Sequence, residues 1–195
     1  MENKIAEIID AGTTDFTAEC YELYKIPALG SLVKTIDSPV EIFAVVCYSS
    51  TTGIEPGRRP IARGKDETTP EAVYQSNPQL LKLLRSEFQA LVVGFKNGDK
   101  ILPYLPPAPA RIHGFVLVCS PLEIAEFSRS FEFLTLLIKS DTQTPPEELI
   151  AATMREMSRV QPDPQAFLIA AGKKIVTLLS GDYRRTKAIL GRLSL

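Results

Sequence analysis

The first part of the chain alternates short apolar runs with turn-forming clusters, a pattern typical of β-strands. Residues 5–9 form one apolar run, residues 16–24 alternate apolar and polar positions, and residues 32–36 form a further apolar segment. Residues 40–48 are the most continuous run of β-branched and aromatic side chains, which predicts a strand covered on both faces. Four short strands divided by glycine and proline predict a small barrel or sandwich.

The spacing of the apolar residues changes in the middle of the chain. Residues 49–70 form a long polar connection, and the spacing predicts a helical insertion near residues 70–90. Thr69 and Pro70 are typical of a helix start, and a second short helix is predicted from Asn77 to Phe88.

Strand periodicity returns after this insertion. Residues 91–95 and 100–105 flank Asn97-Gly98, a sequence typical of a hairpin turn. After a proline-rich linker, residues 112–119 are predicted to form the last strand. Residues 1–119 are therefore predicted to form a β-barrel with a helical insertion near residues 70–90.

Helical patterns dominate the remaining residues, 120–195. Ser120 to Glu123 fits a capping box, and it precedes an apolar face that includes Phe127, Phe131 and Phe133. This face is interpreted either as the core between barrel and helices or as a groove for an oligomer partner. Thr144 is predicted to cap a second helix, which begins with Pro145 to Glu147, and a third helix is predicted over residues 166–179. The predicted fold class is α+β: a small closed or partly open β-barrel followed by a helical C-terminal region.

Composition narrows the class of protein. The 195 residues carry 22 basic and 23 acidic side chains, and 45% of the residues are hydrophobic. These values exclude a disordered chain and a strongly basic protein that coats nucleic acid. The sequence contains no apolar run of about 18 residues and no signal-peptide layout, so we expect a cytoplasmic protein without a membrane segment.

Candidate catalytic groups are few. His113 is the only histidine, and we interpret it as a barrel-rim residue rather than a base. Cys20, Cys47 and Cys119 could join it in a Cys₃His zinc site, but no C-x-x-C pair is present, so reduced, buried thiols are favoured. No phosphate-binding loop occurs, because no Gly-Lys pair is followed by Ser or Thr. The prediction is therefore a protein without catalytic residues, metal or cofactor.

Two groups of cations are candidate contacts for a partner or an anion. The first, in the long polar connection, has acidic neighbours and no interleaved aromatic side chain, so a solvated loop is the alternative; it comprises Arg58, Arg59, Arg63 and Lys65. The second is Arg184 and Arg185, in a C-terminal stretch (residues 163–195) with six basic and two acidic side chains. Ordinary helix-end cations are the alternative there.

The order of features over residues 4–119 resembles the HAS barrel, the six-stranded barrel of HerA-type DNA-translocating ATPases and rotary ATP synthase subunits. Four segments carry this resemblance: Ile5–Ile9, Gly30–Lys34, Val40–Val46 and Pro107–Val116. The inserted segments Gly57–Pro60 and Asn77–Leu81 are similar to an uncharacterised cyanobacterial family of stand-alone HAS-barrel proteins.

The resemblance implies a barrel that contacts other subunits of an assembly. In HerA-type proteins an ATPase domain follows the barrel, whereas residues 120–195 are too short to form one. We therefore predict a non-catalytic assembly or adaptor module whose partner is a protein, such as an ATPase, or a second copy of the chain. The alternative is an auxiliary nucleic-acid-binding protein that uses the Arg58–Lys65 loop and the basic tail.

Overall fold

A computed structural model describes residues 4–55, 57 and 59–193, and it confirms the α+β class. The described strands are β1 (Lys4–Ala11), β2 (Asp15–Cys20), β3 (Leu32–Asp37), β4 (Val40–Gly53), β5 (Leu84–Asn97), β6 (Lys100–Leu102) and β7 (Phe115–Val118). The described helices are α1 (Pro70–Ser76), α2 (Pro121–Phe127), α3 (Leu134–Ile138), α4 (Pro146–Ser158), α5 (Pro164–Leu178) and α6 (Tyr183–Leu190), with a 3-10 helix at Pro78–Lys82.

Six antiparallel strands close into a barrel in the order β1–β2–β5–β4–β3–β7, with β7 pairing back to β1. The short strand β6 extends the sheet beside the end of β5. Apolar side chains fill the interior, among them Ile8, Phe16, Phe88 and Val116. Because strand alternation directs every second residue inward, the barrel is a packed core and not a ligand channel.

Strand β4 shows why its sequence is apolar on both parities. Ile42, Ala44 and Val46 face the barrel interior. The intervening residues Phe43 and Val45 face outward, where the C-terminal helices cover them. The prediction of a strand covered on both faces is therefore confirmed.

The helical region shares a core with the outer wall of the barrel. Phe127 packs between Phe43 of β4 and Phe133, with ring centroids 5.1 Å from each. Leu137 of α3 and Met154 of α4 are fully buried in the same core. The apolar face predicted after residue 120 thus forms the core between barrel and helices. Among the described residues, no helix has both the length and the apolar composition that crossing a membrane requires.

Three local predictions are wrong. The second inserted helix does not reach Phe88, because β5 begins at Leu84 and Phe88 points into the barrel. The segment after residue 120 is not one helix but two, α2 and α3, separated by residues 128–133. Thr144 does not cap α4; its hydroxyl donates to the carbonyl of Cys47 at 2.5 Å.

Candidate partner-binding site

A cavity lies at the end of the barrel where the long polar connection leaves β4. Two cations of the predicted contact group, Arg59 and Arg63, line it together with apolar side chains of the 3-10 helix. Its volume is about 100 Å³. We call it the arginine cavity and define it by Glu55, Arg59, Ile61, Arg63, Leu80 and Leu83.

The two long strands hold this cavity in place. β4 and β5 remain paired as far as Gly53 and Leu84, and the Ile54 amide then donates to the Leu83 carbonyl at 3.0 Å. On the other side, the Leu83 amide donates to the carbonyl of Leu80 at 3.1 Å, which closes the 3-10 helix. Backbone hydrogen bonds therefore fix the positions of Leu80 and Leu83, the apolar residues at the floor of the cavity.

The returning end of the connection is fixed by α1. Thr69 caps this helix by accepting from the Ala72 amide at 3.2 Å, as predicted. The hydroxyl groups of Tyr74 in α1 and Tyr24 share a hydrogen bond, which ties the helix to the loop after β2. This hydrogen bond is the main reason that the pKa of Tyr24 is raised to about 12.

The electrostatics of the cavity rest on the two arginines. Arg59 and Arg63 are exposed, and neither forms an ion pair with any residue that the structure describes. Glu55 is the acidic residue on the same rim. Glu67, an acidic neighbour of these cations in the sequence, accepts a hydrogen bond from the Ser76 hydroxyl at 2.6 Å.

The other members of the first cation group differ in placement. Lys65 is exposed and is not among the described residues that line the cavity. Arg58, also predicted as a contact, lies outside the described residues.

The second cation group lies elsewhere, on α6. Arg185 is engaged within the chain: its Nε donates to Glu147 Oε1 at 2.6 Å and its Nη2 to the Ile138 carbonyl at 3.2 Å. The first of these bonds holds the pKa of Glu147 below its ordinary value. Arg184 is exposed at a separate cavity between α4 and α6. The structure therefore does not bring the two predicted cation groups together in one described cavity.

His113 lies in a turn with φ of +66° rather than in a strand, which corrects the sequence-based placement. Its Nδ1 is 2.6 Å from Glu7 Oε1, and the Tyr21 hydroxyl donates to Glu7 Oε2 at 3.0 Å. These hydrogen bonds lower the pKa of Glu7. The trio joins the turn before β7 to strand β1 and to the residue that follows β2.

The three cysteines are free and buried. Burial raises the pKa of Cys20 to about 11 and that of Cys47 to about 12, and it also raises the pKa of Cys119. Within the described residues, no group of three His, Cys, Asp or Glu side chains could hold a metal ion.

The sequence interpretation missed the apolar half of the site. Ile61 is 71% exposed and Leu81 is 54% exposed, and Ile54 and Leu83 are exposed beside them in the chain. An available signal was the pair of isolated isoleucines in an otherwise polar connection. The leucines after Pro78 repeat at helical spacing and predict only a helix, whereas in the structure Leu80 and Leu83 line the cavity.

Comparison of the sequence with protein-family models and with curated proteins finds no match.

Proposed function

We propose that the protein is a non-catalytic assembly or adaptor module that binds other protein subunits. The observation that carries this proposal is the exposed apolar surface at the arginine cavity, beside two arginines that form no ion pair with any described residue. Burying one aliphatic side chain of this size contributes about 1.5–3 kcal/mol, so a partner that covers Ile61 and Leu83 gains affinity directly. Arginine is enriched at protein interfaces, and the fully buried centre of an interface is more apolar than the rest of the surface.

The barrel supports this function as a scaffold. Its closed ring of backbone hydrogen bonds and its filled interior hold the ends of the long connection rigidly. The resemblance to the HAS barrel points the same way, because it implies contacts between subunits of an assembly. The three cysteines of the protein are free, buried thiols, which fit a reducing compartment, so we place this module in the cytoplasm.

A second candidate function is auxiliary binding of nucleic acid, and α6 is the element that favours it. Arg184 and Lys187 are exposed there, and Tyr183 is 78% exposed beside them. Phosphate contacts make affinity fall steeply with salt, whereas an apolar protein interface depends on salt far less.

The deciding experiment is affinity purification of the tagged full chain from its own cells, with and without nuclease. The adaptor function predicts that a specific protein stays bound after nuclease treatment and after a wash with about 0.5 M salt. That partner should be lost from the variant Ile61→Ser/Leu83→Ser. Association that disappears with nuclease treatment and is removed by Arg184→Glu/Lys187→Glu would instead establish the nucleic-acid function.

A further inference from the structure

We propose that the arginine cavity binds an extended segment of a protein partner in which a carboxylate side chain lies next to an aliphatic side chain. The inference rests on the proposed adaptor function and names the chemistry of its partner. Three properties of the cavity carry it: its volume, its apolar floor and the charge of its rim.

The volume selects the aliphatic group. An apolar cavity of about 150 Å³ holds a six-carbon ring such as benzene, so the 100 Å³ here matches the four carbons of one leucine or isoleucine side chain. The floor is made by Leu80 and Leu83, and Ile61 forms part of the wall. A side chain of that size would bury itself against aliphatic carbon on two sides.

The rim selects the carboxylate. Arg59 and Arg63 line the same cavity, and neither has an ion-pair partner among the described residues. Guanidinium groups bind carboxylates through paired, charge-assisted hydrogen bonds. A carboxylate one or two residues from the aliphatic anchor would meet the rim while the anchor fills the cavity.

The same rim argues against a nucleic acid as the occupant. Glu55 also lines the cavity, and a carboxylate there disfavours a polyanion as the occupant. No aromatic side chain is among the described lining residues, so the cavity offers no surface on which bases stack.

The test uses the full-length protein and a display library of random peptides of about ten residues. We expect selection of peptides that pair Asp or Glu with Leu, Ile or Val, and loss of at least about tenfold in affinity for Arg59→Glu/Arg63→Glu. Leu83→Ser should weaken the same peptides. The matched control is Lys100→Glu/Arg129→Glu, which makes the same change of charge at exposed positions outside the cavity and should bind normally.

Charge reversal in the peptide provides the sharper readout. A selected peptide whose acidic residue is replaced by lysine should bind Arg59→Glu/Arg63→Glu better than it binds the wild-type protein. Selection of no peptides, or of peptides without an acidic residue, overturns the inference. Equal affinity of the peptides for the cavity variant and for the control also overturns it. A single-stranded DNA oligonucleotide that binds wild type and not the cavity variant would overturn it as well.

Failure of this inference is distinguishable from failure of the adaptor function. If the partner captured from cells is retained equally by wild type and by Arg59→Glu/Arg63→Glu, the adaptor function stands and the cavity is not its site. If no protein is retained after nuclease treatment, the adaptor function itself fails.

Discussion

Gly30 meets the backbone of Thr153 directly, and this contact joins the barrel to α4. A Cβ atom on Gly30 would lie 2.5 Å from the backbone nitrogen of Thr153 and 2.6 Å from the carbonyl carbon of Ala152. Gly30 also has φ of +85°, a conformation that other residues rarely adopt. Two independent constraints therefore require glycine two residues before β3 begins.

Two glycine-to-alanine variants separate the backbone clash from the cost of the positive φ. Gly30→Ala should lower the free energy of unfolding by about 3 kcal/mol, since it adds a backbone clash to the cost of the positive φ. Gly98→Ala has φ of +61° but nothing within 4 Å of the added Cβ, so it should cost only about 1 kcal/mol. Urea unfolding of both variants measures the difference, and equal losses would show that α4 does not press on Gly30.

A second prediction concerns Lys34, which is 5% exposed on the outer face of β3. Its Nζ lies 2.5 Å from Glu123 Oε1 and 3.2 Å from Glu41 Oε2, so it fastens α2 to the barrel. Lys34→Met leaves both carboxylates without this partner and should lower the free energy of unfolding by about 2–3 kcal/mol.

The control variant for Lys34→Met removes the lysine charge together with the charges of Glu41 and Glu123. Lys34→Met/Glu41→Gln/Glu123→Gln should come within about 1 kcal/mol of wild type, because neither of the two described carboxylates is left as an unpaired charge. The measurement is again urea unfolding. A neutral effect of Lys34→Met alone would contradict this account of α2.

The strands were predictable where the sequence fits the period of a strand and not that of a helix. The alternation of Phe16, Ala18 and Cys20 predicted β2, and all three side chains are buried in the barrel. The leucines before Phe88 were ambiguous, because Leu80, Leu84 and Phe88 fit a helical period as well as a 3-10 turn followed by a strand. Pairing of β5 with both β2 and β4 decides for the strand, and that pairing is not a local property of the sequence.

The candidate site was predictable in its charges but not in its apolar part. Arg59 and Arg63 stood out because cations cluster in one polar connection. That they line one cavity with Leu83 depends on the register of β4 and β5, which no local pattern reveals. Arg185 looked equivalent to Arg184 in sequence, yet only the fold brings Glu147 to it across the α4–α6 contact.

The ion pair between Arg185 and Glu147 gives a pH dependence of known sign. Hydrogen bonding from Arg185 lowers the folded-state pKa of Glu147 below its ordinary value of 4.5. The stabilisation is therefore complete above that ordinary value, and it is lost as the pH falls through the folded-state pKa. Glu147→Gln should lower the free energy of unfolding by about 1 kcal/mol at neutral pH.

The difference between wild type and Glu147→Gln should shrink as the pH falls below 4.5. Denaturant unfolding across a pH series measures it. Asp99→Asn, in the turn between β5 and β6, is the control and should change the free energy of unfolding by less than about 0.5 kcal/mol throughout. A difference for Glu147→Gln that grows toward acid pH would reverse the assigned sign.

The last prediction concerns the reactivity of the thiols. Burial raises the pKa of Cys20 to about 11, so only about one molecule in a thousand carries that thiolate at about pH 8. Cys47 has a pKa of about 12 and Cys119 is raised as well, and both are less accessible than Cys20. Iodoacetamide should therefore label Cys20 slowly in the folded protein and the other two far more slowly still, whereas urea exposes all three. Peptide mass spectrometry resolves the order, and rapid labelling of Cys47 or Cys119 in the folded state would show that the helices do not stay closed over the barrel wall.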